Sequence, residues 1–79
     1  MDMREALKKF IETEIAVGTT VAYDDDLLMT GLVNSLDVIR LVTFTQEQFG
    51  VTVPPEDVVI EHFQTIDAIA NYLQTRVEA

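Results

Sequence analysis

From Ser35 to Phe49 the chain carries Leu36, Val38, Ile39, Leu41, Val42, Phe44 and Phe49, a distribution that winds around a helix at roughly 100° per residue. Val38, Ile39, Leu41, Val42 and Phe49 span an arc of about 160°, wider than the stripe of a simple surface helix. This segment is therefore expected at the centre of a helical bundle, against several neighbours. Its opposite side groups Leu36, Asp37, Arg40, Thr43, Phe44, Glu47 and Gln48, a mixed face able to receive a partner. Asn34 precedes the helix as a preferred N-cap and Gly50 ends it. Ser35 then sits at the helix's positive end, its hydroxyl near the unpaired amides of the first turn.

The flanking segments complete an all-α reading. Residues 3–17 place Met3, Leu7, Phe10, Ile11 and Ile15 at helical spacing, with Glu5 set to pair with Lys9 and Gly18 as the stop. From Gly18 to Val33 no period holds, so a long loop is expected, pinned to the core by Leu27, Leu28, Leu32 and Val33, with Asp26 capping a single turn. Pro55 suits the first position of a short helix, with Glu56 and Asp57 in its first turn and Val58, Val59 and Ile60 as its buried side. Thr65 caps a last helix whose apolar positions are Ile66, Ile69, Ala70, Leu73 and Val77. Val51 to Val53 is too short and solitary to form a sheet. The expected architecture is a small four-helix bundle over residues 1–79, with three main helices, a short third helix and a long loop between the first and second.

Chemistry is bounded next. With 79 residues and no Cys, the fold rests on apolar packing alone, without disulfides or thiolate metal sites. Fourteen acidic against five basic residues give a net charge of −9, which disfavours nucleic acid and favours brief visits to basic protein surfaces. The start lacks the order of a signal peptide and no apolar run reaches membrane-spanning length, so a cytoplasmic protein without a membrane partner is expected. The acidic run Asp24-Asp25-Asp26 fails as a calcium loop, because Leu28 and Met29 fall where ligand and Gly belong. A catalytic Ser35 would need a base, and the lone His62 is read as a half-buried structural residue. A bundle of this size also offers little room for a substrate cleft. No catalytic residue, no metal site and no enzymatic activity are expected.

The stretch Gly31-Leu32-Val33-Asn34-Ser35-Leu36 at the start of the second helix resembles the attachment motif of acyl and peptidyl carrier proteins. Glu47-Gln48-Phe49-Gly50-Val51-Thr52-Val53-Pro54 resembles that family's exit from the second helix, and Phe63-Gln64-Thr65-Ile66-Asp67-Ala68-Ile69-Ala70 its closing segment. The resemblance implies that Ser35 receives 4'-phosphopantetheine from coenzyme A through a separate, magnesium-using phosphopantetheinyl transferase. The arm's thiol then holds an acyl or aminoacyl group as a thioester. Two residues depart from the family pattern: Asn34 replaces the usual Asp, keeping the cap while removing a charge, and Arg40 stands where fatty-acid carriers often have an acidic residue.

The resemblance thus implies a discrete, monomeric carrier that serves polyketide, nonribosomal peptide or related secondary-metabolite biosynthesis. Its partners are the transferase, a loading enzyme and downstream synthase or tailoring enzymes. Asn34, Leu36, Asp37, Arg40, Thr43 and Glu47 form the expected docking face, with Leu36 as its apolar contact. The rivals are an unmodified helical interaction adaptor in which Ser35 is only a helix cap, a fatty-acid synthesis carrier, and a protein that binds acyl chains without covalent attachment.

Overall fold

The computed structural model describes residues 2–77. Helix α1 (Met3–Phe10) continues into a wider π-helical coil, Ile11–Ile15; α2 is Ser35–Phe49, α3 is Ile60–Phe63 and α4 is Ile66–Val77. A 3-10 turn, Pro55–Asp57, precedes α3, and no strand occurs among the described residues. The all-helical architecture is the expected one, including the absence of a sheet at Val51–Val53. Those two valines are instead buried from an extended link.

Local chemistry sets the boundaries. The Asp2 carboxylate caps α1 by accepting from the Arg4 amide at 2.9 Å. The first helical stretch was expected as one α-helix over residues 3–17. Its second half widens, the Ala16 amide donating to the Ile11 carbonyl at 2.7 Å, and turns out at Gly18 with φ +84°. Thr65 Oγ1 accepts from the Ala68 amide at 2.9 Å, capping α4 as its sequence implied. Gly50 closes α2 in the left-handed region at φ +68°, where a side chain would be strained.

The core lies mainly between α1 and α4, with Leu7, Ile11, Ile66, Ile69 and Leu73 fully buried. Helix α2 contributes Val38, Leu41 and Thr45 against five buried residues from α4, so it is less enclosed than its apolar arc implied. Ile39, expected inside, is 60% exposed. Phe44, on the mixed face, is half-buried and stacks on Phe10 at 4.2 Å, with Phe49 edge-on at 5.9 Å. Tyr72 is buried on α4 and donates from its hydroxyl to Asp57 at 2.6 Å; burial, then this bond, pushes its pKa up to about 12. His62 is half-buried, its ring 4.5 Å from that of Tyr72.

The long loop is tied down along its length. Leu27 and Val33 are fully buried and Leu28 and Leu32 half-buried, as expected, and Val21, which lacks any periodic context, is also fully buried. Asp26 caps the expected turn, accepting from the Leu28 and Met29 amides at 3.1 and 2.8 Å. Loop and last helix are stitched together, the Leu27 amide donating to the Gln64 carbonyl at 2.7 Å and the Asp67 amide to the Tyr23 carbonyl at 3.1 Å. Glu5 accepts from the Tyr23 hydroxyl rather than pairing with Lys9.

Glu12 Oε2 accepts from Lys8 Nζ at 2.8 Å and from the Val21 amide at 2.7 Å, while Lys8 Nζ also donates to the Val21 carbonyl. The Lys8 bond, followed by the Val21 amide, holds the Glu12 carboxyl below its ordinary 4.5. A depressed carboxyl pKa stabilises the fold above the unfolded value, and that contribution disappears as pH falls through the folded one. Urea denaturation of Glu12→Gln should therefore show its deficit against the wild type narrowing as pH drops below about 4.5. A deficit constant from neutral pH to acid would show that the loop clamp does not depend on this charge.

Candidate functional site

Asn34 adopts extended backbone and forms a reciprocal cap with Asp37. Its side-chain oxygen accepts from the Asp37 amide at 2.9 Å, and its own amide donates to Asp37 Oδ2 at 3.2 Å. The next amide in the turn, that of Val38, donates to the Asn34 carbonyl at 2.9 Å. Ser35 therefore occupies the first helical position of α2, exposed, with its hydroxyl outside the cap's hydrogen bonds. Asp37 is half-buried and lies 3.7 Å from the Arg40 guanidinium, which offsets part of its charge. The first turn of a helix with this dipole direction favours an anion, and a neutral Asn in place of Asp adds no opposing charge beside it.

Ser35 and Asn34 stand at the rim of an open apolar groove of about 440 Å³, so the expectation of little room for a cleft is corrected. Phe63 and Val33, each 1% exposed, and Val38 floor it, and Val58, Val59 and Ile60 form the facing wall. Those wall residues were expected to be buried under a short helix starting at Pro55. Instead the 3-10 turn stops at Asp57, Val58 forms a tight turn (φ −82°, ψ 78°) closed by the Val59 amide donating to the Asp57 carbonyl at 2.9 Å, Val59 is extended, and Ile60 opens a single-turn α3 at 68% exposure. An apolar run of three, Val58-Val59-Ile60, separated by two residues from Pro54-Pro55, was the available signal, since one helical turn cannot bury three consecutive side chains on one face.

The expected docking residues divide into two groups. Leu36 is 71% exposed beside Ser35. Arg40, Thr43 and Glu47 are exposed further along α2 and border a second, shallow depression of about 270 Å³ with Ile39, Phe10 and Phe44. Asp37 acts chiefly within the cap. Ile39 links the two regions on the outer side of α2, a role that helical periodicity alone assigned to the core.

No group of three or more His, Cys, Asp or Glu able to hold a metal ion occurs among the described residues. His62 packs on Tyr72 rather than lining the Ser35 groove, so no imidazole base borders that groove. What the junction offers is an exposed primary hydroxyl, a helix start suited to a phosphate ester and an apolar surface beside it.

Residues 4–73 match the family described as the phosphopantetheine attachment site. The chain belongs to that family. It is a carrier protein whose cofactor is a covalently attached 4'-phosphopantetheine, and the exposed Ser35 and the capped helix start, where Arg40 lies 3.7 Å from the Asp37 carboxylate, fit such a group. Carrier proteins of this family meet a phosphopantetheinyl transferase and loading enzymes. A D-alanyl carrier protein of Streptococcus suis (strain 98HAH33) is 26% identical over 69 residues, which is 87% of this chain and 87% of that protein. No helix among the described residues is long and apolar enough to cross a membrane.

Proposed function

We propose that Ser35 is the attachment residue and that this carrier presents an acyl or aminoacyl thioester to successive enzymes without catalysing a reaction itself. The observation that carries this reading is the exposed Ser35 hydroxyl at the first position of a capped helix, free of the cap and bordering an apolar groove. When bound, the arm supplies a thiol that activates the cargo as a thioester. The chain's own residues do the rest: Asn34 and Asp37 fix the turn, the helix start accommodates the phosphate, and tethering raises the cargo's effective concentration at a docked enzyme. The name of the D-alanyl carrier relative favours the aminoacyl half of the cargo range. Arg40 on the outer face of α2 favours specialised biosynthesis, polyketide or nonribosomal peptide, over primary fatty-acid synthesis.

The test is intact mass after incubation with coenzyme A, magnesium and a broad-specificity phosphopantetheinyl transferase. One added phosphopantetheinyl group supports the assignment. No gain with several transferases, including those of the native source, removes it.

Leu36, Arg40, Thr43 and Glu47, with Asn34 and Asp37 at the helix start, form the docking face. Arg40→Glu should lower kcat/KM with a cognate loading enzyme roughly 3–10-fold, mainly through KM, with the circular dichroism spectrum unchanged. Unchanged kinetics with every cognate enzyme would take Arg40 off that face.

A further inference from the structure

Residues 54–63 form a strap between two buried anchors, Val53 at 6% and Phe63 at 1% exposure. Inside the strap the backbone hydrogen bonds are local: Asp57 to Pro54, Val58 to Pro55, Val59 to Asp57 and His62 to Val59. Among the described residues, the strap's polar ties to the rest of the chain converge on one carboxylate. Asp57 Oδ2 accepts from the Tyr72 hydroxyl at 2.6 Å and lies 4.0 Å from Arg76. The Arg76 contact is long and solvent-exposed, and such pairs contribute little. At the far end of the strap, the His62 ring also rests on Tyr72, centroids 4.5 Å apart. A single α4 side chain thus holds the strap near both ends. Between those points run Val58, Val59 and Ile60, the exposed wall of the groove beside Ser35.

We propose that Tyr72 is a positioning residue for the Ser35 site, setting one wall of its groove through Asp57 and His62 without touching the groove itself. The groove's function rests on Ser35 being the attachment residue; the tether does not. A strap with one turn of α3, a 3-10 turn and no backbone bonds to a neighbouring element opens locally at low cost once its side-chain tie is lost. Helices α1 and α2 have their own caps and internal ladders, so such an opening leaves the Ser35 turn in place.

Amide hydrogen exchange on the full, unmodified chain tests the tether. Tyr72→Phe removes only the hydroxyl and keeps the ring under His62. The amides of Asp57, Val58, Val59 and His62 should then exchange about tenfold faster, with those of α1 and α2 changed by less than about twofold. Asp57→Asn keeps an acceptor for the hydroxyl and should restore most of the protection, whereas Asp57→Ala should not. Equal acceleration throughout the chain would make Tyr72 an ordinary core residue and overturn the proposal, as would an unaffected strap or an Asp57→Asn variant as loose as Asp57→Ala.

A kinetic arm tests the consequence at Ser35. With the transferase, Tyr72→Phe should raise KM for the carrier about 3–10-fold and leave kcat within about twofold. A loosened strap with unaltered kinetics would overturn the positioning role. If the wild type accepts no phosphopantetheine at all, the attachment assignment fails, while the exchange result still decides the tether.

Discussion

Ser35→Ala should abolish the mass gain from coenzyme A completely while leaving the stability of the chain within about 0.5 kcal/mol of the wild type. The two halves of this expectation come from the same geometry. The N-cap is Asn34, its reciprocal partner is Asp37, and the Ser35 hydroxyl takes part in neither bond. Alanine at the first helical position loses no cap and has high helix propensity. A helix start that only needed a small polar residue would thus be indifferent to the exchange, and a carrier would be silenced by it. Intact-mass spectrometry and urea denaturation of the same preparation read both halves. Continued modification of the alanine variant would move the attachment elsewhere, and a stability loss above about 1 kcal/mol would mean that Ser35 is a structural cap residue.

The largest expected effect on folding belongs to Phe63→Ala, at about 3–5 kcal/mol. Phe63 is 1% exposed, anchors the end of the strap and floors the groove, so its removal leaves a cavity connected to an opening and a wall without its anchor. For 79 residues, total stability is expected at roughly 4–12 kcal/mol, with no disulfide to add to it. The variant should show a urea midpoint reduced by about a quarter or more, or a substantial unfolded fraction without denaturant. A loss below about 1 kcal/mol would show that Phe63 packs loosely and that the core does not extend under the groove.

Capped boundaries were legible because caps are local chemistry. Asn34 and Gly50 frame α2, Thr65 opens α4, and the pinning leucines of the long loop lie where an apolar residue amid polar ones implies. The family resemblance was legible for the same reason, its segments being contiguous. Coverage was not. The projection of α2 places Ile39 on its apolar arc, but whether that part of the arc is covered depends on how closely α1 and α4 approach, which no local pattern encodes. Val58, Val59 and Ile60 show the same gap: their apolar character is plain, yet sequence does not distinguish residues that face a core from residues that line a groove. The π-helical coil at Ile11–Ile15 is invisible to a 3.6-residue period, and the buried Val21 is held at its backbone by Lys8 and Glu12, which contact it from thirteen and nine residues away.

The stitching of the long loop to α4 bears on how the chain comes apart. The carbonyl of Tyr23 receives an amide from the first turn of α4, and Leu27 donates to the residue just before Thr65. Each of the two segments supplies hydrogen bonds that the other's end would otherwise lack. The loop upstream of Ser35 is consequently not a spacer between helices but a co-folding half of the last helix's start. Fraying there must loosen the approach to Ser35 and the beginning of α4 in one step, so the loop that leads to Ser35 and the first turn of α4 share a single cooperative fate.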